Sequence, residues 1–264
     1  MPVYTSEALI LRTYKLAEAD RIVVFFTKDR GKKRGVAKGA RRARSRFTGA
    51  LESLTRAGVA YYERELRDLV RINYVEPQRS PLAVVARSAP DASALGHAEY
   101  FAELIDEWAP EGHADERLYR LGSSIIDALA DGVPTDRLAR YFEFWLLRLQ
   151  GVYPPLSACP QCGGPFDGGA VMPPREHHYV CRRCAAPDGL AHRSAERAGG
   201  TTLSLDALRF LRSAAGAGPD TLGSVPLDAG PGRELETAHR RLIHVHLEKE
   251  LKSARVLRQL RYNS

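Results

Sequence analysis

Sulfur is scarce in this chain: of 264 residues, four are cysteine and two are methionine. Four cysteines are too few for the dense disulfide framework of a small secreted scaffold, and their scarcity fits a reducing compartment. No apolar run is long enough to span a bilayer. The opening Met1-Pro-Val-Tyr-Thr-Ser-Glu has no basic stretch followed by an apolar one, so no export signal is read there and a cytoplasmic protein without a membrane segment is predicted. Catalytic signatures are missing as well. The run Gly31-Lys-Lys-Arg-Gly-Val-Ala-Lys-Gly is not followed by Gly-Lys-Ser/Thr, which excludes a Walker-type phosphate loop. His239, His244 and His246 have no carboxylate or cysteine in an obvious triad relation. A hydrophobic content of 44% suffices for the cores of two or three modest domains.

The cysteines that are present fall as Cys159-Pro-Gln-Cys162, then eighteen residues, then Cys181-Arg-Arg-Cys184. A two-residue gap lets both thiolates of one turn face a single ion, and two such turns supply the four-sulfur tetrahedron that Zn2+ favours in structural sites. Pro160, Gly163 and Gly164 suit a tight knuckle. Arg182 and Arg183 place positive charge beside a centre of net charge about −2. One structural zinc is the reading this spacing favours, against a redox pair or two disulfides. With all four positions taken by sulfur, none stays open for a catalytic water. His177 and His178 are alternative ligands that four sulfurs make unnecessary.

Charge is unevenly spread. The chain carries +7 in all, yet residues 28–46 alone carry +9, from ten Lys and Arg against the single acid Asp29, so everything else sums to −2. A dense basic segment in an otherwise balanced chain is the footprint of a polyanion partner, because neutralising phosphates releases condensed counterions. Lys32, Lys33, Arg34, Lys38, Arg41, Arg42, Arg44 and Arg46 are the candidate DNA-binding residues. A solvated loop without a partner is the plainer alternative.

Along the chain, residues 3–76 read as short strands: Glu7 to Thr13, Arg21 to Thr27, Arg34 to Ala40, Arg56 to Glu63 and Leu69 to Val75. Five strands in about 75 residues suggest a small barrel or sandwich, with the basic run lying partly on it and partly on a mobile loop. From about Pro81 the period becomes helical, with stripes at Tyr100, Phe101, Leu104, Ile105 and Trp108, then Leu118, Leu121, Ile125 and Leu129, then Leu138, Tyr141, Phe142, Trp145 and Leu149. A long helix is predicted from Glu234 to Leu260. The expected organisation is α+β and multidomain: a small barrel or sandwich over 1–80, a helical bundle over 81–155 and 196–264, and an inserted zinc knuckle over 156–195.

OB barrels hold single strands in a basic groove with stacking aromatics, and Tyr14, Phe47, Tyr61 and Tyr62 lie in or near the barrel. Each is equally readable as core. His97-Ala-Glu99 with a later C-x-x-C imitates a zinc nucleobase deaminase. Against that, Ala158 replaces the expected proline, the pair lies about sixty residues downstream, and a second C-x-x-C completes the metal shell without histidine. The chain is therefore read as a non-enzymatic binding protein. A DNA-binding protein is favoured, and a zinc-ribbon RNA-binding or translation-associated protein is the alternative.

The run Glu18-Ala-Asp20-Arg21-Ile-Val-Val-Phe-Phe-Thr27, then Gly31-Lys, Val36-Ala-Lys38-Gly39-Ala-Arg41-Arg42, Ser45-Arg46, Gly49 and Leu51-Glu52 resembles the N-terminal signature of the RecO family of bacterial DNA repair proteins. The layout of barrel, helical domain and interrupting cysteine knuckle is similar to that family over nearly the full length, and the resemblance implies that residues 1–80 are an OB-fold barrel. The resemblance implies a recombination mediator in the nucleoid-associated cytoplasm with no catalytic site. Such a mediator binds single- and double-stranded DNA, anneals complementary strands, and works with RecR to load recombinase on DNA coated by single-strand-binding protein. It also implies binding of that coating protein's acidic C-terminal tail. On the terminal helix, Lys249, Lys252, Arg255 and Arg258 beside Leu247, Leu251 and Leu257 are the candidate residues for an acidic peptide with an aromatic end. The competing reading makes these leucines bundle core and these cations a face favoured by the helix dipole.

Overall fold

In the computed structural model, which describes residues 3–63, 68–81, 92–185 and 200–262, each of the five β-rich stretches forms a strand. They are β1 (Val3–Leu16), β2 (Asp20–Thr27), β3 (Gly31–Ala37), β4 (Thr55–Tyr62) and β5 (Val70–Arg79). They close into a barrel of order β1-β2-β3-β5-β4, with β3 and β5 parallel and the other pairs antiparallel. β4 alternates strictly between buried and half-buried positions, as a period of two requires. Ala57, Val59 and Tyr61 thus point inward with Ala8, Ile10, Val23, Phe25, Ile72 and Val75. A register shift between Ile10 and Arg12 marks a bulge in β1. Around it Ala8, Leu9, Ile10 and Leu11 are all buried, because this strand is covered on both faces.

The outer cover is helical. α1 (Ala92–Trp108) and α2 (Glu116–Ala130) follow the barrel in sequence, and Asp115 caps α2 by accepting from the Leu118 N–H at 2.9 Å. Gly122 permits the close approach of α2: a Cβ there would lie 2.6 Å from Leu9 Cδ1 and 2.9 Å from Ile105 Cδ1. Arg56 of β4 donates to both carboxylate oxygens of Asp127 at 2.9 and 3.0 Å, a bidentate pair that fixes the helix on the wall.

The segment between β3 and β4 is built differently from the mobile loop expected. Residues 38–54 form successive turns, with N–H to carbonyl bonds Arg42 to Gly39, Ser45 to Arg42, Thr48 to Ser45 and Ala50 to Phe47 at 3.1–3.2 Å. Phe47, Ala50 and Leu51 are buried in the barrel's own core cluster. The segment is a plug whose apolar side closes the barrel and whose basic side faces water.

A second correction concerns the terminal helix. The Glu234 to Leu260 pattern is two helices, α6 (Ala229–Leu247) and α7 (Lys252–Tyr262). Glu248 ends the first in a left-handed conformation, φ 53°. The N-terminus of the second is held by Glu103 of α1, whose carboxylate accepts from the Ser253 N–H at 2.8 Å, the Lys252 N–H at 3.3 Å and the Ser253 hydroxyl. Hydrophobic periodicity continues across the break, so it hides the interruption.

The chain divides into two compact units, Met1–Thr135 with Glu250–Ser264, and Asp136–Lys249. These boundaries differ from the predicted ones, since α1, α2 and α7 belong with the barrel. The second unit holds α3 (Thr135–Leu149), a sheet of order β7-β6-β8 from β6 (Ala170–Met172), β7 (Val180–Cys181) and β8 (Thr201–Leu203), the short α4 (Arg182–Ala185), α5 (Leu205–Gly216), a 3-10 turn over Pro219–Ser224, and α6. Residues 186–195 of the expected knuckle lie outside the described residues. A buried polar chain crosses this unit. Arg140 pairs with Glu143 at 3.1 Å, Glu143 bonds His239 Nδ1 at 2.9 Å, and His239 Nε2 meets the Tyr153 hydroxyl at 3.3 Å. Burial holds His239 below the usual histidine range against the pull of Glu143. Among the described residues no helix is long and apolar enough to cross a membrane.

Phe47→Ala removes the largest apolar anchor of the plug without altering its charge. It should destabilise the barrel unit by about 3–5 kcal/mol, measured by urea unfolding, and a loss below about 1 kcal/mol would show that the segment is not part of the core.

Candidate nucleic-acid interface and metal centre

The structure sorts the basic stretch into two populations. On the strands and their turn, each cation has an acid. Lys28 lies 3.5 Å from Glu7, and Arg30 lies 3.7 Å from Asp29 with its guanidinium 3.9 Å from the centre of the Tyr4 ring. Lys32, largely buried, reaches Asp106 at 3.4 Å, Lys33 reaches Glu63 at 2.7 Å, and Arg34 reaches Glu111 at 3.1 Å. Lys32, Lys33 and Arg34 are therefore bound to carboxylates 74, 30 and 77 residues distant, a pairing no local pattern announces.

Lys38, Arg41, Arg42, Arg44 and Arg46 are all exposed on the plug, and none pairs with a carboxylate among the described residues. Their backbone is braced. Gly39 N–H donates to Asp20 Oδ1 at 2.7 Å and Arg41 N–H to the Ala19 carbonyl at 2.9 Å. The Arg41 guanidinium donates to the carbonyls of Ala17 and Glu18 at 2.9 and 2.8 Å. Arg46 lies 4.9 Å from the centre of the Phe47 ring. Five exposed cations without a carboxylate partner thus stand on a hydrogen-bonded segment, where an arriving anion would require little further ordering.

The candidate stacking residues separate likewise. Tyr61 and Phe47 are core, 0% and 2% exposed. Tyr14 is 46% exposed and Tyr62 is half-buried. Strand register sets Tyr14 opposite Ile22, Ile22 opposite Val36, Val36 opposite Arg71 and Arg71 opposite Tyr62, a row across the barrel's outer wall. Arg71 and the exposed Tyr74 in β5 are additions that the sequence reading missed. The alternation about inward Val70 and Ile72 carries the signal for Arg71. The register shift between Ala60 and Tyr61 obscures it for Tyr74.

The four cysteines come together as predicted. All are free thiols, and their sulfurs lie within 4.8 Å of one another, with Cys162 Sγ 3.7 Å from Cys181 Sγ. A tetrahedron with Zn–S bonds of about 2.3 Å has an edge of about 3.8 Å, so the set fits one ion. Cys159 and Cys162 flank a knuckle in which Gly163 N–H donates to the Cys159 carbonyl and Cys159 N–H to the Gly164 carbonyl, each at 2.8 Å. Gly163 sits at φ 69°, a conformation glycine adopts without strain. Cys181 ends β7 and Cys184 rides on α4. Burial opposes ionisation of Cys159, yet backbone N–H groups of Cys181, Cys162 and Gln161 outweigh it and bring the thiol down to about 6. Cys181 is lowered likewise, chiefly by the Cys184 backbone N–H, whereas the neighbouring Cys162 sulfur pushes Cys184 up to about 12; the thiolate is the form that binds metal.

The predicted peptide site is not assembled in the way expected. Lys249 closes the second unit, whereas Lys252, Arg255 and Arg258 stand on α7 in the first. Arg258 pairs with Glu250. Leu251 and Leu257 are 4% and 8% exposed, and Leu257 packs on Gly96 of α1, so these leucines are interior. The second unit instead has an open apolar pocket of about 470 Å³ between α3, α5 and residues 153–157, lined by Phe144, Tyr153, Pro154 and Leu211 with Arg148 and Arg212 at its wall.

Comparison with known proteins agrees with this architecture. Residues 1–81 match the family model described as Recombination protein O N terminal, and residues 89–255 match Recombination protein O C terminal. A DNA repair protein RecO from Geobacter sulfurreducens is 35% identical over 257 residues, covering 96% of this chain and 97% of its own length. The one from Desulforudis audaxviator is 33% identical over the whole of both chains. That of Koribacter versatilis is 39% identical over 67% of this chain and 70% of its own. With both models matched in order and relatives aligned end to end, the chain belongs to the RecO family of DNA repair proteins.

Proposed function

We propose that this protein is a non-enzymatic recombination mediator. It holds single- and double-stranded DNA on an OB-fold barrel, anneals complementary strands, and acts with RecR to assist recombinase loading on DNA coated by single-strand-binding protein. The observation that carries this reading is the set of five exposed, uncompensated cations on the braced plug. Its neighbour, the row from Tyr14 to Tyr62, offers apolar and aromatic faces of the kind on which bases stack without sequence preference. Phosphate contact by Lys38, Arg41, Arg42, Arg44 and Arg46 supplies affinity. The same contacts let two strands share one surface, since cations between them offset phosphate repulsion, and no nucleotide hydrolysis is required.

The four cysteines hold one structural Zn2+ that fixes the knuckle. The metal supplies cohesion here: its four thiolates leave no open coordination position. The acidic tail of single-strand-binding protein seats in the second unit's pocket and not on α7, because the pocket offers open apolar walls with Arg148 and Arg212 beside them, whereas the leucines of the α7 region are covered.

Three measurements test this. If five phosphates are neutralised, the log-log salt slope on single strands is about −3.5. Arg42→Glu with Arg44→Glu should lower affinity at least tenfold at 150 mM salt, whereas Lys33→Ala, already paired with Glu63, should change it less than twofold. Equal effects would dissolve the division into two populations, and a matched RNA strand competing better than DNA would favour the RNA-binding alternative. Metal analysis of protein purified without chelator should give one zinc per chain. Cys181→Ser should lose it and loosen the knuckle, with the barrel's DNA affinity retained. A labelled acidic peptide ending in phenylalanine should bind at least tenfold more weakly to Arg212→Glu than to the parent, and equally to Arg255→Glu. The opposite ranking would return the tail to α7.

A further inference from the structure

The apolar pocket and the cysteine cluster share a stretch of chain. Residues Tyr153 to Ser157 line the pocket, and Cys159 follows two residues later. Its own side chain is 1% exposed, and its sulfur accepts from the Cys181 N–H at 3.3 Å. The pocket's wall is thus the lead-in to the first knuckle. Tyr153 is the point from which this wall is hung, with its ring edge-on to Phe144 at 5.0 Å and its hydroxyl toward His239. Tyr179, two residues before Cys181, is fully buried. On the far side Arg241 of α6 donates to the carbonyls of Met172 at 3.4 Å, Pro173 at 2.7 Å and Glu176 at 3.2 Å, and to that of Pro174. These bonds clasp the turn joining β6 to β7. The knuckle is accordingly fixed at its β6–β7 turn by Arg241 and at Tyr153 by side-chain packing, while the chain between Tyr153 and Cys159 has the cysteine cluster as its other anchor.

We propose that metal occupancy of Cys159, Cys162, Cys181 and Cys184 sets the shape of the pocket, so that ion and acidic peptide bind with positive coupling. This rests on the reading of the pocket as a peptide site. With the ion bound, four thiolates hold Cys159 against β7 and α4, and Pro154, Pro155 and Leu156 stand as a wall. Without it, no shared ion joins Cys159 to β7 and α4, and the first knuckle is released. The wall then loses its Cys159 anchor, and the apolar surface facing Leu208 and Leu211 is lost. Coupling of this kind is reciprocal and commonly amounts to 5–150-fold.

The test uses the full chain loaded with one equivalent of zinc, the same protein after chelation, and a fluorescein-labelled nine-residue peptide with four aspartates and a C-terminal phenylalanine. Chelation should weaken peptide binding at least tenfold by anisotropy, change single-stranded DNA affinity less than twofold, and be reversed by added zinc. Saturating peptide should raise zinc affinity by the same factor in a chelator competition. Equal peptide affinity with and without zinc would overturn the coupling and leave the pocket reading intact. Absence of binding by the zinc-loaded chain would instead remove the pocket reading. The coupling is then read in Trp108→Phe, whose remaining Trp145 packs on Phe144 beside the pocket. Its emission should shift on chelation, and a spectrum that does not move would sink the proposal. Pro154→Gly with Pro155→Gly separates wall from metal. It should retain zinc yet reduce the tenfold difference to less than threefold, and a difference that persists would show that the proline wall does not transmit it.

Discussion

An arginine-rich segment left to itself extends, because like charges repel and each side chain gains entropy in water. Here the opposite is achieved by burying Phe47, Ala50 and Leu51 in the end of the barrel. Their transfer from water provides on the order of 1.5–3 kcal/mol for the phenyl ring alone, and the turns between them satisfy the backbone. The plug completes the core of the barrel while it concentrates cations on the barrel's surface. Stability and charge density are in this way obtained from one segment, with apolar and basic positions interleaved at the spacing of its turns.

The remaining charge follows from desolvation. Lys32 runs along the covered wall, where an unpaired ammonium would be costly, and Asp106 answers it. Arg56 is treated the same way by Asp127. Removing these cations from the exposed basic surface leaves that surface chiefly to the plug. It also explains why a net charge of +9 over nineteen residues overstates what a phosphate meets.

Much of this was legible beforehand. Five strands, three helical stripes and the cysteine cluster all rest on local periodicity or spacing, the information a sequence carries openly. The hidden parts depend on partners far away in the chain. Lys33 and Lys38 look alike until Glu63 is seen beside one of them. The break between α6 and α7 depends on Glu103, about 150 residues earlier, supplying a carboxylate to a helix start that has no capping side chain before it. The exposed apolar pocket has no sequence signature, for its walls come from α3, α5 and a proline-rich connection. Similarly, Leu251 and Leu257 carry the apolar character of a docking face and the burial of a core, and only packing on Gly96 distinguishes the two.

The return of α7 to the first unit has a temporal meaning. Gly96 and Glu103 face an empty place on α1 until residues 252–262 have left the ribosome, and the whole of the second unit is synthesised in between. At about 5–20 residues per second, that interval lasts on the order of ten seconds. Throughout it the nascent barrel carries its basic plug with α1 uncovered and the carboxylate of Glu103 shared with Arg12 alone, 3.8 Å away. Completion of the barrel unit thereby waits for residues 252–262, and a chain truncated before residue 250 leaves that unit open.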